Sequence, residues 1–213
     1  MVLKFKMNPM DFAKKNRVFA VIRAENSENA LRLAEACIEG GLKLIEITLS
    51  FPGAEEIIGE LSKVNDILVG AGTVLNVEMA RSASNSGAMF IISPHTDREI
   101  ISYAKSNNLL VASGALTSNE ILKAWNLGAD LVKIFPVKSV GGASYIKAIK
   151  DPLPFIEIMT TGGVTVENFA EFLQAGATAV GLSTSLIGSD GLVDSRVISQ
   201  RARKVVQILS ELG

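Results

Sequence analysis

Two charged residues of this chain lie in apolar stretches. Lys133 stands in ADLVKIFPV and Glu46 in LIEITLS, where most neighbours are Leu, Val, Ile or Phe. A buried charge without a partner is costly, so it usually pairs or changes its protonation state. A desolvated lysine can be neutral near pH 7 and attack a ketone to form a Schiff base, and a nearby carboxylate can then transfer protons. This chemistry is one interpretation of the pattern; an edge-strand lysine with its head in water, or an ion pair that only fixes the core, are the others.

The repeat pattern of the chain predicts the scaffold that holds these two residues. Strand-like apolar runs begin at Val18, Leu44, Ile67, Met89, Leu109, Leu131, Phe155 and Ala179. Amphipathic segments such as SENALRLAEACIEGG separate them, with helix-starting residues near the front and Gly or Asn near the end. Strands that alternate with helices in this way pair in parallel through right-handed crossovers. We therefore expect an α/β fold, a (β/α)8 TIM barrel, with a doubly wound open sheet as the alternative.

The barrel is expected to occupy the chain as a single domain, residues 1–213. A chain of 213 residues suits one barrel, and no linker or low-complexity segment interrupts it. The segment NPMDFAKKN predicts a short extra N-terminal helix that covers the barrel bottom. The segment SRVISQRARKVVQILSELG predicts the closing helix.

Composition narrows the class of function. The net charge is only -1, which leaves no electrostatic footprint for nucleic acid or an anionic membrane. One cysteine and one histidine exclude an internal disulfide and a zinc cluster, and Cys37 is expected in the core. No apolar run reaches the length of a signal peptide or a membrane span. We expect a cytoplasmic protein with a small-molecule substrate and no metal, cofactor, nucleic-acid or membrane partner.

Strand parity predicts which side chains enter the barrel. Alternate residues of a strand face opposite sides, so Glu46 lies opposite Ile45 and Ile47, which we expect to meet the helices. By the same rule Lys133 points inward together with Phe135. A carboxylate and an amine are therefore predicted to share the barrel interior.

The carboxyl ends of the strands carry further candidates, because TIM barrels build their active sites at this end. Polar and small residues cluster there: Arg23, Thr73, Ser93, Pro94, His95, Thr160, Thr161, Gly162, Gly163, Ser183 and Thr184. The glycines after strand seven free backbone N–H groups for an anion, and this region often binds phosphate. Gly70 and Gly72 are candidates too, unless they only relieve crowding between strand and helix. His95 is either a hydrogen-bonded loop residue or a catalyst, and Lys138 is expected in solvent or near the phosphate.

Five stretches, in order, resemble one known family: LIEITLSFPGA, VGAGTVLN, FIISPH, VKIFPV with the following GG, and TTGGVT. They are similar to the motifs of the 2-keto-3-deoxy-6-phosphogluconate (KDPG) aldolase / 4-hydroxy-2-oxoglutarate aldolase family over essentially the whole chain. The resemblance implies a class I aldolase that cleaves KDPG, or 4-hydroxy-2-oxoglutarate, to pyruvate and an aldehyde, usually as a homotrimer. It also implies that Lys133 is the Schiff-base lysine and Glu46 the general acid/base. By the same resemblance Thr73 lies near the pyruvyl carboxylate, and Gly162 and Gly163 belong to the phosphate loop.

The chain departs from the family pattern in two places. Many members carry an arginine where this chain has Ser50, and a serine cannot replace a bidentate cation. Other members carry an arginine at the end of strand one, which Arg23 matches, so we predict that Arg23 holds the substrate carboxylate. In strand eight Ser183-Thr184 replaces the frequent Gly-Ser, and the added Cβ of Ser183 would narrow the approach of a phosphate. The expected substrate-binding residues are Arg23, Thr73, Pro94, Phe135, Thr161, Gly162, Gly163, Ser183 and Thr184.

Two other functions fit the same residues. A non-covalent phosphosugar isomerase or synthase would use Lys133 only as a fixed positive charge. A non-catalytic sensor of a phosphorylated ligand would need no Glu46. Covalent trapping of a keto substrate separates both from an aldolase.

Overall fold

The computed structural model describes residues 7–189 and 193–212, so the outer bounds of the predicted domain lie outside the described ranges. Its parallel strands pair in chain order, and the last pairs with the first to close a barrel. The strands are β1 (Val18–Ile22), β2 (Leu44–Thr48), β3 (Leu68–Gly72), β4 (Phe90–Ile92), β5 (Leu110–Ala115), β6 (Leu131–Ile134), β7 (Ile158–Thr160) and β8 (Ala179–Leu182). The (β/α)8 barrel is thus confirmed, and the open-sheet alternative is wrong.

Helices follow the strands and surround the barrel. They are α1 (Pro9–Asn16), α2 (Ser27–Glu39), α3 (Ala54–Leu61), α4 (Val77–Asn85), α5 (Arg98–Ser106), α6 (Ser118–Asn126), α7 (Ala143–Lys150), α8 (Phe169–Gln174), α9 (Thr184–Ile187) and α10 (Ser195–Glu211), with a 3-10 turn at Val137–Val140. Side chains that accept backbone N–H bonds fix several starts, among them Asn26, Asn76 and Asp97. None of the helices in the described ranges is long and apolar enough to cross a membrane.

The barrel has an inner and an outer core, as strand parity predicts. Leu44 and Leu131 pack in the inner cluster, whereas Ile45 and Val132 belong to the outer cluster against the helices. The predicted N-terminal helix is α1, and its Phe12 packs in the inner cluster from below. The bottom half of the barrel is therefore filled with apolar side chains, and the chemistry is left to the upper half.

Four predicted strands begin later than expected: β3, β4 and β5 by one residue and β7 by three. The apolar run starts at Phe155, but β7 begins only at Ile158. A turn in which Ile156 N–H donates to the Leu153 carbonyl at 3.3 Å precedes the strand. Phe155 stays 55% exposed and contacts the ring of Trp125 with centroids 6.2 Å apart. The two prolines of DPLP favour this turn over an early strand.

Candidate active site

Lys133 and Glu46 meet inside the barrel. Lys133 lies on β6 and Glu46 on β2, and only 7% and 1% of their surfaces are exposed. The Lys133 Nζ is 3.9 Å from Glu46 Oε1, which is too long for a direct hydrogen bond. Glu46 Oε2 is buried and has no hydrogen-bond partner. The carboxylate is thus close to the amine and still has an oxygen available to another group.

The environment of Glu46 favours its protonated form. Burial raises the pKa of Glu46 above its usual value, and the positive charges of Lys133 and Arg23 offset only part of this effect. A carboxyl group whose pKa lies nearer to neutral exchanges protons more efficiently in a general acid/base role. The barrel interior therefore gives Glu46 the property that proton transfer requires.

A glycine on the neighbouring strand makes room for this carboxylate. A Cβ at Gly72 would lie 1.9 Å from Glu46 Oε1 and 2.6 Å from its Cδ. A Cβ at Gly70 would lie 2.4 Å from the Phe90 ring, which also packs inside the barrel. The crowding that these glycines relieve is therefore between strands inside the barrel, so the alternative interpretation, crowding between strand and helix, is wrong. Gly72 is a site candidate from the sequence, and the structure shows that it leaves space for Glu46.

Small residues open the interior at β8 and β5 as well. A Cβ at Gly181 of β8 would lie 3.2 Å from Val21 and 3.3 Å from the Thr161 Cβ. A Cβ at Gly114 of β5 would come within 2.1 Å of the Pro94 backbone. These contacts place the predicted residues Thr161 and Pro94 on the barrel axis side of their strands. Both lie at the same end of the barrel as Lys133.

Phe135 stands at the mouth of the site. Although parity predicts an inward side chain, β6 ends at Ile134 and Phe135 is 41% exposed. Its ring centroid is 5.5 Å from the Lys133 Nζ, within cation–π range. Phe135 therefore borders the amine from outside the packed core.

The loop after β7 lies directly against Phe135. Gly162 and Gly163 have φ angles of 82° and 100°, a left-handed conformation that glycine adopts without strain. A Cβ at Gly162 would lie 2.9 Å from the Phe135 ring. Among the described residues, the N–H groups of these two glycines have no acceptor. Free N–H groups beside a solvent-facing mouth suit an anion.

Arg23 and Ser50 lie beyond the ends of the adjacent strands β1 and β2. Within the described parts of the chain, the exposed Arg23 guanidinium forms no hydrogen bond or ion pair, yet its charge acts on Glu46. The Ser50 hydroxyl lies 2.8 Å from Thr48 Oγ1, which donates to the Ile22 carbonyl at 3.1 Å. Arg23 is therefore a cation available to a ligand, whereas Ser50 is tied to its own strand.

The remaining predicted residues also surround this end of the barrel. Thr73 follows β3 with a φ of 57°, which is unusual for a β-branched residue. The Ser183 hydroxyl donates to the Val21 carbonyl at 3.1 Å, so its donor is already used within the barrel. Thr184 is exposed and begins α9. Thr73 is thus held in a strained conformation beside the site.

Other reactive residue types lie apart from this arrangement. His95 is exposed in the loop after β4, with its Nδ1 3.0 Å from the Ser93 hydroxyl. Cys37 packs in the core on α2 as expected, and burial raises the pKa of its thiol to about 12, which makes it a poor nucleophile. Over the described ranges, no three His, Cys, Asp or Glu side chains are grouped so that they could hold a metal ion.

Comparisons with known proteins point to one family. The family model for KDPG and KHG aldolase matches residues 10–203. A 2-dehydro-3-deoxy-phosphogluconate aldolase of Treponema pallidum is 34% identical over 158 residues, 74% of this chain and 75% of the relative. A 2-dehydro-3-deoxy-6-phosphogalactonate aldolase of Escherichia coli K12 is 34% identical over 180 residues, 83% of this chain and 87% of the relative.

A solved structure shares the whole architecture. The KDPG aldolase of Legionella pneumophila superposes with a TM-score of 0.84 and 28% identity, covering 94% of this chain and 99% of the other. That protein was crystallised with pyruvate captured as a covalent carbinolamine intermediate. A carbinolamine is the adduct that precedes a Schiff base, so this relative carries out amine chemistry on a keto acid.

Proposed function

The chain belongs to the KDPG and KHG aldolase family, and from this membership we propose that it cleaves a 2-keto-3-deoxy sugar acid phosphate through a Schiff base on Lys133. It is an aldolase and therefore a carbon–carbon lyase. The observation that carries the proposal is the isolated pair inside the barrel, Lys133 Nζ at 3.9 Å from Glu46 Oε1. Only 7% of the Lys133 surface is exposed, and among the described residues the Glu46 Oε2 has no hydrogen-bond partner.

The first stage joins the substrate to the enzyme. The lone pair of Lys133 Nζ attacks C2 of the keto acid to give a carbinolamine. Protonated Glu46 gives a proton to the carbinolamine hydroxyl, which leaves as water, and an iminium and a Glu46 carboxylate remain. The iminium withdraws electrons from the neighbouring C3. Phe135, with its ring 5.5 Å from Nζ, covers the amine on the solvent side and restricts the approach to it.

The second stage breaks the carbon–carbon bond. Glu46 takes the proton of the C4 hydroxyl, directly or through one water, while the electron pair of the C3–C4 bond moves into the iminium as an enamine. The aldehyde leaves, Glu46 returns a proton to C3, and water hydrolyses the pyruvyl iminium to free pyruvate and Lys133. The raised pKa of Glu46 supports both directions of this transfer.

The two ends of the substrate meet different groups in this proposal. The carboxylate next to C2 binds Arg23 and the hydroxyl of Thr73, which follow β1 and β3, the two strands that flank β2. The phosphate binds the free N–H groups of Gly162 and Gly163. The C4 epimer, gluconate or galactonate, stays open because relatives named for each are equally similar to this chain.

Trapping tests the proposal. Incubation with pyruvate and sodium borohydride should add one reduced pyruvyl group to Lys133, located by peptide mass mapping, and Lys133→Ala should abolish it. The matched control is Lys138→Ala, which should keep the label. No adduct on wild type would exclude the mechanism and favour a non-covalent isomerase. An adduct on Lys138 would refute the assignment of Lys133 as the Schiff-base lysine. The homotrimer implied by the resemblance stays a prediction, which sedimentation equilibrium tests separately.

A further inference from the structure

Lys138 extends from the segment next to the loop after β7. It follows Pro136 in the 3-10 turn Val137–Val140 and is exposed. Its backbone N–H donates to the Gly162 carbonyl at 3.0 Å, which fixes the start of its side chain beside the loop. The position of Lys138 is therefore set by the same loop whose N–H groups are free.

The stem of the Lys138 side chain packs on Gly163. A Cβ at Gly163 would lie 2.3 Å from the Lys138 Cβ and 2.9 Å from its Cδ, so the absence of a side chain at Gly163 makes this path possible. Packing of an aliphatic lysine stem on the backbone leaves the ammonium at the end of the stem in solvent. The ammonium therefore extends into solvent from a stem that lies on the loop.

Among the described residues, no carboxylate pairs with this ammonium. In residues 7–189 and 193–212, the ion pairs of lysine side chains involve Lys14, Lys105, Lys133 and Lys204, and Lys138 has neither an ion pair nor a side-chain hydrogen bond. A cation beside free N–H groups creates a positive potential that favours an anion with more than one charge. Ser183 does not provide that attraction, because its hydroxyl donates to the Val21 carbonyl.

We propose that Lys138 is a specificity-determining residue that binds the distal phosphate of the substrate and makes the enzyme prefer phosphorylated sugar acids to their unphosphorylated counterparts. This inference rests on the proposed function, because it assumes that the far end of the substrate lies at the loop after β7. The backbone N–H groups orient the phosphate oxygens, and the ammonium supplies the charge. Lys138 takes no part in bond breaking, so it acts on KM far more than on kcat.

The test compares two substrates that differ only in the phosphate, KDPG and 2-keto-3-deoxygluconate. Lys138→Met keeps an aliphatic stem on Gly163 and removes the charge, whereas Lys138→Arg keeps a charge. Hydrogen bonds to charged groups change affinity by about 10- to 150-fold, and exposure places Lys138 near the lower end. We expect Lys138→Met to lower kcat/KM for KDPG about 10-fold, mainly through KM, and to leave 2-keto-3-deoxygluconate unchanged. Lys138→Arg should recover most of the loss.

Lys147→Met is the matched control, because Lys147 is an exposed lysine of the next helix, α7, and lies outside the site. It should behave as wild type with both substrates. Equal losses of Lys138→Met with both substrates, or no loss with either, would overturn the inference while leaving the aldolase mechanism intact.

A second measurement does not depend on turnover. Titration calorimetry with inorganic phosphate should give a dissociation constant that rises about 10-fold in Lys138→Met and not in Lys147→Met. If wild type shows no pyruvate adduct, the proposed function fails, and the phosphate titration still decides the role of Lys138. Unchanged phosphate affinity in Lys138→Met would then refute it.

Discussion

The Gly72→Ala substitution should displace the Glu46 carboxylate and leave Lys133 unchanged, so it tests the two residues separately. The new methyl group would lie 1.9 Å from Glu46 Oε1 and 2.6 Å from its Cδ, whereas ordinary contacts begin at 3.4 Å. The carboxylate oxygen must therefore move by about 1.5 Å, or the strands must separate. Because Gly72 lies on β3 with no positive φ, the substitution adds this clash without backbone strain.

The size of the effect follows from that displacement. A misplacement of about 1 Å in a catalytic group can cost about 100-fold in rate. We expect Gly72→Ala to slow aldol cleavage and the exchange of pyruvate C3 protons by about 100-fold or more. Overpacking should also lower the free energy of unfolding by about 1–3 kcal/mol. Lys133 lies on β6, which is not paired with β3, so the borohydride adduct should still form.

Three measurements on the same protein test this reasoning: NMR of pyruvate in deuterated water, mass mapping after borohydride, and denaturant unfolding. Gly59→Ala is the control, because its Cβ would meet only the Ser86 carbonyl at 3.5 Å on the outer helix α3. It should keep wild-type kinetics and gain about 0.5–1 kcal/mol of stability from helix propensity. Wild-type exchange rates in Gly72→Ala would show that the Glu46 position does not limit the reaction.

Further variants test Glu46, Arg23 and Thr73. Glu46→Gln should still trap pyruvate but lose about 100- to 10,000-fold in C3 exchange. Burial raises the pKa of Glu46, so the free energy of unfolding of wild type falls as the pH rises from the usual pKa of 4.5 through the folded pKa. Unfolding experiments at several pH values should show that Glu46→Gln loses this dependence. Parallel curves for the two proteins would contradict the raised pKa. Arg23→Ala should raise the KM for pyruvate about 10- to 150-fold. Arg23→Lys, or Ser50→Arg added to Arg23→Ala, should recover part of the loss, and Ser50→Ala should change little. Normal pyruvate affinity in Arg23→Ala would refute the carboxylate role. Thr73→Gly removes the hydroxyl proposed to bind the carboxylate, so it should weaken pyruvate binding. It also relieves a left-handed conformation that costs about 1–2 kcal/mol, so the protein should lose no stability. A clear drop in the unfolding midpoint would argue against the strain.

Much of the fold and the centre of the site could be predicted from sequence, because both depend on periodicity. Helix and strand alternation predicts the barrel, and a period of two along a strand predicts that Glu46 and Lys133 face inward. The inner and outer clusters confirm that division through Leu44 and Ile45, which are neighbours in sequence and lie on opposite faces. Such statements need no knowledge of the contacts between strands.

Strand parity does not specify how far along the barrel axis each residue lies. That height depends on strand register and stagger, which arise from the closed sheet as a whole. Gly72 pairs with Thr48, yet the side chain that its missing Cβ would meet belongs to Glu46, two residues earlier on β2. The sequence signal was present in LVGAG, where Gly70 and Gly72 share the inward face, but only the paired strands reveal which neighbour needs the space. The same limit applies to Phe135, whose parity is inward although it lies beyond the end of β6.

The register also explains how either β1 or β2 can carry the cation at this edge of the barrel. Ile22 pairs with Ile47, so the residues that follow β1 and β2 emerge at the same edge of the barrel. The Thr48 hydroxyl joins these two strand ends by donating to the Ile22 carbonyl, next to Arg23 in the chain, and it holds Ser50 on its other side. A positive charge on either strand end can therefore face the same substrate carboxylate, and only one strand needs to carry it. We propose that Arg23 carries this charge here, so that Ser50 can be a short side chain bonded to Thr48.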